Sequence, residues 1–442
     1  MTIENVKYVV DSGFVKQKMF DPKSGMDTLV VVPVSQSAAT QRSGRSGRTG
    51  PGKSFRLYSR AIFENDLDED AVPEIQRTSL TGSVLQLLKI GVRDILSFDF
   101  MDRPDENCLR SSLQQLFLLD AITEYAELTQ IGEWMSRFPI SPFLARALIA
   151  SASEFNCLEE VATIVSMLSS EDIWLRARSK KEEERLSKSQ SRFFNHLGDH
   201  LSLLSIFQDW KREGKFSFDW AKDNSINYRS LISSKSIREQ IMDVAKSLLH
   251  QRHPLGKTTS EDSIISDRVL MSFCSGFYMN CARKNPSSSV FYHVASNLDS
   301  STLTIAIDED SAFSKSHTFK FLPRQHSNSL LALYLHPTSC LLELVQRMGN
   351  SSLIDCVIYN EVICTQRSFM RAVSIIKYEW VQPLMEKLKV VGTLPCLKLE
   401  SMPSPPVKDS SSVNEDQISC DPVIPDSQSK AEEARERYLK RR

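Results

Sequence analysis

The densest run of residues that could do chemistry lies at positions 41–53, where arginines and glycines alternate at short, fixed spacing. If a helix capped by one of the preceding serines runs into this stretch, Gln41, Arg45 and Arg48 fall at i, i+4 and i+7. They then share one helix face. The intervening glycines leave room for another surface to approach closely. Because guanidinium groups grip phosphate oxygens in a fork, the pattern predicts a polyphosphate-binding face.

The order Gln-Arg-x-Gly-Arg-x-Gly-Arg at residues 41–48 resembles motif VI of superfamily 2 helicases, and residues farther along resemble the DEAH-box branch. In that family the glutamine and the last two arginines reach the γ-phosphate of ATP across a cleft. The resemblance therefore implies that Gln41, Arg45 and Arg48 bind nucleotide. It also implies that Arg45 and Arg48 are catalytic and stabilise charge in phosphoryl transfer. A basic surface helix without chemistry is the alternative.

A second pattern overlaps the first, because Gly47, Gly52, Lys53 and Ser54 fit the P-loop order Gly-x4-Gly-Lys-Ser/Thr. A P-loop follows a strand and opens a helix whose N-terminus holds the phosphate. Residues 54–58 alternate and include aromatic side chains, which predicts a strand instead. We therefore reject a P-loop here.

The residues before the arginine run predict β-structure. A strand is expected at 6–10, and two further strands at 14–20 and 28–33 flank a strong turn signal at 21–25. In DEAH-box helicases a hairpin at this place projects from the second RecA-like domain and helps to separate strands. The resemblance assigns residues 1–72 to the C-terminal part of that domain. An ordinary sheet hairpin is the alternative.

The 442 residues show no Asp-Glu-Ala-His box, and the acidic run at 66–70 has no preceding strand and no following histidine. We expect that run to be a solvated loop. The resemblance implies ATP with Mg as the cofactor of the parent protein, with no metal ligands in this chain. We therefore expect the chain alone to hydrolyse no ATP. The alternatives are a non-catalytic fragment that binds RNA or a partner, and an incomplete gene model.

Composition indicates a globular protein of two to four domains, because the chain is long and has 41% hydrophobic and 25% charged residues. Its net charge of −1 does not indicate a nucleic-acid partner, so any basic path must be local. Nine singly spaced cysteines indicate a reducing compartment. No apolar run reaches about 18 residues and no signal peptide is evident. We expect a nuclear or cytoplasmic protein that is not secreted.

The predicted fold class is multidomain α+β. After the partial RecA-like α/β domain, we expect a winged helix at 73–137, a ratchet-like helicase-associated helical bundle at 138–265 and an OB-fold β-barrel at 266–395. Short β-runs are expected from Asp267 onward. The tail at 396–442 is predicted to be disordered, with a possible terminal helix.

Two histidines four residues apart, His196 and His200, could suggest a metal pair. The spacing lacks the glutamate of the His-Glu-x-x-His pattern, and Gly198 weakens a helix between them, so we reject metal binding. Gly198-Asp199-His200-Leu201 instead matches a signature of the DEAH-box family. In that family the bundle acts as a ratchet that touches RNA.

The best candidate for an RNA-binding loop lies at 365–371, where Thr365, Arg367 and Arg371 surround an aromatic residue. Hydroxyls, arginines and aromatics together suit single-stranded backbone and stacked bases. A core position for Phe369 is an equally good interpretation. The resemblance implies RNA and an activating protein as partners, and no membrane. We expect weak, salt-dependent binding of single-stranded RNA without sequence preference.

Overall fold

The computed structural model describes residues 6–21, 26–175, 179–249, 262–284, 290–293, 332–348, 354–364, 367–391 and 394–397. These residues all belong to one compact unit, Met1–Leu399. The predicted tail therefore lies outside the described residues, except for its first two positions. No helix in the described part of the chain is long and apolar enough to cross a membrane.

The N-terminal part contains a parallel strand pair and a hairpin. Strand β1 (Tyr8–Asp11) pairs in parallel with β4 (Lys53–Arg56), and β2 (Phe14–Asp21) pairs antiparallel with β3 (Met26–Pro33). Helix α1 (Gln36–Ser43) lies between β3 and β4. The predicted hairpin is thus confirmed, and the segment after Lys53 is the expected strand. The RecA-like assignment of this part stays a prediction.

A short irregular segment leads to three helices. A π-helical turn at Ile62–Asp66 and a 3₁₀ turn at Glu74–Gln76 are followed by α2 (Thr81–Lys89), α3 (Glu106–Leu118) and α4 (Gln130–Met135). The apolar faces of α2 and α3 are buried or half-buried in the core. The winged-helix assignment of this unit stays a prediction.

The helical bundle continues further along the chain than the sequence indicates. Its described helices are α5 (Pro142–Ser153), α6 (Leu158–Leu168), α7 (Lys180–Gln190), α8 (Asp199–Arg212), α9 (Phe218–Asp223), α10 (Tyr228–Leu249) and α11 (Asp262–Phe277). The expectation of β-runs from Asp267 is wrong, because that segment is α11, which packs along α5. Gly276 allows this approach, since a Cβ there would lie 2.2 Å from the carbonyl oxygen of Phe143.

The C-terminal part is a closed barrel of five described strands, in the order β5-β6-β7-β9-β8. The strands are β5 (Cys281–Lys284), β6 (Phe291–His293), β7 (Ala332–Leu335), β8 (Cys356–Cys364) and β9 (Ser368–Ile376). Helix α12 (Cys340–Met348) precedes β8, and α13 (Tyr378–Met385) follows β9. The predicted barrel is confirmed as a barrel; the β-run expected at 303–307 lies outside the described residues.

The expectation of disorder from Cys396 onward is wrong at its first two residues. Pro395–Leu397 forms a 3₁₀ turn in which Cys396 and Leu397 are buried. The Cys396 N–H donates to the carbonyl oxygen of Glu124 at 3.3 Å, and Arg110 donates to that of Leu397. Contacts 270 residues or more away in sequence hold this turn, so local composition does not indicate them.

Candidate nucleotide and nucleic-acid interfaces

The arginine run begins on a capped helix, as the spacing predicts. Ser35 is the N-cap of α1, and its hydroxyl accepts from the Ala38 N–H at 3.2 Å. The α-helical part ends at Ser43, and a tighter 3₁₀ turn, Gly44–Gly47, carries the chain on to Arg48, which keeps helical dihedrals. The three predicted side chains therefore follow one another over a continuous helical path, although its pitch changes.

Exposure separates the arginines into two groups. Gln41, Arg45 and Arg48 are exposed, whereas Arg42 is half-buried and Ser46 is buried. The amide and the two guanidinium groups predicted to bind nucleotide thus belong to the solvent side of this path. This is the arrangement expected of a surface that meets a polyphosphate on another body.

The glycines within the run have two different functions. A Cβ on Gly44 or Gly47 would meet nothing within 4 Å, so the space beside the exposed arginines is open. A Cβ on Gly52 would lie 2.2 Å from the Ser46 carbonyl oxygen, so this glycine lets the chain cross the 3₁₀ turn closely. Gly52 and Lys53 thus serve the route into β4, and no helix follows them as a P-loop would require.

Sequence reasoning missed the function of Arg42. Its Nη1 donates to Asp11 Oδ1 at 2.7 Å, and both Nη atoms donate to the Phe14 carbonyl oxygen at 3.2 and 3.3 Å. The carboxylate of Asp11, 1% exposed, also accepts from the Gly13 N–H and the Tyr58 hydroxyl. An acidic residue at the end of an apolar strand is the signal that could have indicated this pair.

Electrostatics keep Asp11 ionised. Burial alone raises its pKa, but hydrogen bonds from the Gly13 N–H and from Arg42 and Tyr58 outweigh that effect, so the pKa lies below its usual value. The Arg42–Asp11 pair is therefore a charged, hydrogen-bonded contact between α1 and the end of β1.

The acidic run at 66–70 is a loop, as predicted, except for Asp66, which ends the π-helical turn, and the run also supports α1. Its side chains are exposed except for Leu67. Its backbone carbonyls accept from the first turn of the helix: the Gln36 N–H bonds Asp68 at 2.8 Å and the Ser37 N–H bonds Glu69 at 3.0 Å. The loop thereby satisfies N–H groups that a helix start leaves without intrahelical partners.

The expectation of a loop at 365–371 is wrong for Ser368–Arg371, which are the first residues of β9, because their backbones pair with β7 and β8. This part of β9 carries an aromatic surface on the outside of the barrel. Phe369 is half-buried and alternates with the fully buried Met370, so it points away from the barrel interior. Its ring lies 6.2 Å from that of Tyr334 and 6.0 Å from that of His336. The Arg367 guanidinium lies 4.8 Å from the centre of the Tyr334 ring. We call these four residues the barrel surface.

The other two predicted RNA residues differ from Arg367. Arg371 forms ion pairs with Asp172 at 2.6 Å and Glu361 at 3.2 Å, and it is 31% exposed. It thus joins β9 to β8 and to the loop after α6. Thr365 lies outside the described residues. Arg371 therefore lies between two carboxylates, whereas Arg367 contacts an aromatic ring.

A cavity of about 310 Å³ lies where the bundle meets the barrel. Trp174 and Phe194 form its aromatic wall, with ring centres 5.8 Å apart. Its polar lining includes Asp172, Glu361 and Arg371. This lining carries more negative than positive charge, so it does not favour a phosphate group.

The Gly198-Asp199-His200 signature joins the bundle to the barrel. Asp199 accepts from the Cys340 N–H at 2.8 Å and from the Val373 N–H at 2.7 Å, so its carboxylate caps α12 and holds β9. Burial raises the pKa of Asp199, and these hydrogen bonds oppose the rise. The signature thus has a structural function that the sequence did not reveal.

Gly198 is required by its backbone. Its φ is +123°, and a Cβ there would lie 2.4 Å from the Val373 carbonyl oxygen. His200 is buried, with Nδ1 2.8 Å from Ser374 Oγ, whereas His196 is exposed. Among the described residues, no group of three or more His, Cys, Asp or Glu side chains could hold a metal ion.

Acid is expected to weaken the bundle–barrel contact through His200. Burial lowers its pKa to about 3, against about 6.5 in an unfolded chain. Between these values the unfolded state binds the extra proton, so the free energy of unfolding falls as the pH falls. From pH 7.5 to pH 5 this histidine should account for a loss of about 2 kcal/mol. Urea unfolding of the chain and of His200→Gln at both pH values checks this.

His200→Gln should lose less stability on acidification than the unaltered chain, because the other titrating groups remain in both. The exposed histidine gives the control, and His196→Gln should keep the full acid sensitivity. An equal loss in the unaltered chain and in His200→Gln would contradict the assignment.

Comparison with known proteins defines the class of the C-terminal half. Residues 141–203 match the model for a helicase-associated domain (HA2), ratchet-like, and residues 269–388 match that for an oligonucleotide/oligosaccharide-binding (OB)-fold. The first matched segment contains α5, α6, α7 and the start of α8, and the second contains the end of α11 and the barrel. The fold is thus a helicase-associated bundle followed by an OB barrel.

The chain is 34% identical over 381 residues to the pre-mRNA-splicing factor ATP-dependent RNA helicase prp22 of Schizosaccharomyces pombe. The match covers 86% of this chain, and the chain spans 28% of the relative's length. Together with the domain matches, this bears out the resemblance seen in the sequence: the chain corresponds to a C-terminal portion of a DEAH-box RNA helicase.

Proposed function

We propose that this chain supplies the arginine face and part of the RNA-holding surface of an enzyme that couples ATP hydrolysis to RNA unwinding or ribonucleoprotein remodelling. Gln41, Arg45 and Arg48 bind the terminal phosphates of ATP held by another RecA-like domain. Arg45 and Arg48 stabilise the charge that develops as the phosphoryl group is transferred.

One observation carries the nucleotide part of this proposal. The amide of Gln41 and the guanidinium groups of Arg45 and Arg48, at i, i+4 and i+7, are exposed. Arg42, which lies between them in sequence, instead pairs with the buried Asp11. A solvated basic helix needs no such separation. The exposed donors fit a polyphosphate, and ATP with Mg, when bound, supplies the phosphoryl group and its neutralising metal.

The RNA part rests on the barrel surface. Phe369 and Tyr334 lie directly opposite each other on paired strands, and Arg367 lies beside them. Such rings can stack on bases and an arginine can meet the backbone, without reading sequence. Arg371 positions β9 through its ion pairs with Asp172 and Glu361, and it contributes positive charge nearby. Thr365, which lies outside the described residues, is proposed to supply a hydroxyl contact.

The barrel surface gives a direct test in the 442-residue chain. Replacing Arg367 and Phe369 with alanine should weaken binding of single-stranded oligouridylate by about tenfold or more, since each stacked base contributes about 1–3 kcal/mol. The salt dependence should also become shallower, because one phosphate contact is lost. Fluorescence anisotropy at low and moderate salt measures both quantities.

Two variants complete that experiment. Arg93→Ala removes an exposed arginine outside the barrel and should leave affinity unchanged. Arg371→Ala should lower affinity less than Arg367→Ala and reduce stability more, because it removes the ion pairs with Asp172 and Glu361. Unchanged affinity and salt slope in the Arg367/Phe369 variant would show that RNA binds elsewhere.

The printed name of the Schizosaccharomyces pombe relative supports a setting for this activity. That protein is a pre-mRNA-splicing factor. We propose that the RNA acted on here is pre-mRNA in the nucleus, with an activating protein as a further partner.

A further inference from the structure

Both ends of α1 are attached to the base of the β2–β3 hairpin. At the start, the Val34 N–H donates to the Gly13 carbonyl at 3.0 Å, and Ser35 then caps the helix. At the end, Arg42 donates to the carbonyl oxygen of Phe14, the first residue of β2. The helix that leads to the exposed arginines therefore cannot tilt without moving the hairpin base.

A buried carboxylate fixes this junction to the sheet. Asp11 accepts from Arg42 at 2.7 Å, from the Gly13 N–H at 3.1 Å and from the Tyr58 hydroxyl at 3.2 Å. Gly13 has a φ of +81°, and a Cβ there would lie 2.8 Å from the Tyr58 ring. The end of β1, the hairpin base, α1 and the segment after β4 thus meet around one side chain.

The hairpin also contacts the barrel, whose outer surface we propose to hold RNA. Strand β3 lies alongside β8 of the barrel. Toward its far end, the Phe20 N–H donates to the Arg77 carbonyl at 2.7 Å, and Arg77 donates back to the Lys18 carbonyl at 3.3 Å. The hairpin therefore contacts the barrel through β3 and α1 through its base.

We propose that Arg42, Asp11 and Gly13 are positioning residues that make the hairpin and α1 move as one body. RNA held at the barrel and hairpin thereby sets the placement of Arg45 and Arg48. This inference rests on the proposed function. It adds the structural route by which RNA binding changes the placement of the nucleotide-binding side chains.

The fork of Arg42 is the essential chemical feature. Guanidinium can bond Asp11 and the Phe14 carbonyl together, whereas the single ammonium of lysine acts as a point charge without that fixed geometry. Arg42→Lys should therefore keep the charge pair and the fold but release the hairpin base. Asp11→Asn keeps the shape and removes the charge. Tyr58→Phe removes one hydroxyl bond that does not involve the hairpin.

Hydrogen–deuterium exchange of the 442-residue chain, with and without single-stranded oligouridylate, tests the coupling. In the unaltered chain, RNA should slow exchange in peptides covering residues 36–48 by at least about fivefold, the lower range of coupling between sites. Arg42→Lys and Asp11→Asn should lose this slowing while anisotropy shows unchanged RNA affinity. Tyr58→Phe should retain it.

A purely structural function for these residues would change melting temperature but not the RNA-dependent part of the exchange. The inference is overturned if the slowing persists in both Arg42→Lys and Asp11→Asn, or if the unaltered chain binds RNA without any change at residues 36–48. If the unaltered chain binds no RNA in the anisotropy titration, the proposed RNA function fails first and this inference fails with it.

Discussion

Replacing Arg45 or Arg48 with alanine is expected to reduce ATP turnover by about 10³-fold or more once the chain works with an ATP-holding RecA-like domain. The reason is that both guanidinium groups lie on the exposed side of the helical path, where transferred phosphate charge could meet them. The steady-state rate of ATP hydrolysis can be measured in a chimera in which this chain replaces the matching segment of Schizosaccharomyces pombe prp22.

Lysine at either position should not restore turnover, because it cannot reproduce the fork that grips phosphate oxygens. Arg93→Ala, which removes an exposed arginine elsewhere, should leave turnover unchanged. Melting temperatures should be similar in all these variants. A lysine variant with normal ATPase activity would contradict the catalytic assignment.

Replacing Asp199 with alanine is expected to give the largest loss of stability among the substitutions considered. The carboxylate accepts from two backbone N–H groups, those of Cys340 and Val373, at the junction of bundle and barrel. Each buried donor left without a partner costs about 1–3 kcal/mol, so the loss should reach about 3 kcal/mol or more. Urea unfolding of the chain at pH 7.5 measures it.

Asp199→Asn should recover little of that stability, because one of its two polar atoms becomes a donor facing another donor. Asp102→Ala, on an exposed loop, is the control and should change stability by less than about 0.5 kcal/mol. Equal stability of the Asp199 and Asp102 variants would show that the signature does not hold the two parts together.

The local features were predictable because they depend on neighbours in sequence. The hairpin followed from a turn signal between two β-branched and aromatic runs, and the exposed face of Gln41, Arg45 and Arg48 followed from spacing and a capping serine. Both depend on dihedral preferences and helix periodicity over fewer than about 20 residues.

The contacts that organise the site were not predictable in this way. Arg42 pairs with Asp11, 31 residues away, and Arg371 pairs with Asp172, 199 residues away. The sequence shows where each arginine lies along the chain, but the partner of that arginine depends on the tertiary fold. For the same reason Arg371 was expected to contact RNA freely, whereas the structure holds it between two carboxylates.

Helix α11 shows how packing overrides local pattern. Its β-branched and aromatic residues favoured strands, yet Val269 and Phe273 are buried against the bundle and Gly276 lets α5 approach. An apolar segment next to an apolar helix gains more from burial than from its weak strand preference. The boundary that we predicted between the bundle and the barrel therefore lies too early in the chain.

The central claim is that this chain supplies the arginine face of an RNA-dependent ATPase. RNA-stimulated ATP hydrolysis by the prp22 chimera, compared with the same chimera carrying Arg45→Ala and Arg48→Ala, tests it most directly. The account predicts RNA-stimulated turnover in the unaltered chimera, turnover at least about 10³-fold lower in the double variant, and none from the 442-residue chain alone. Turnover that survives both substitutions would contradict it.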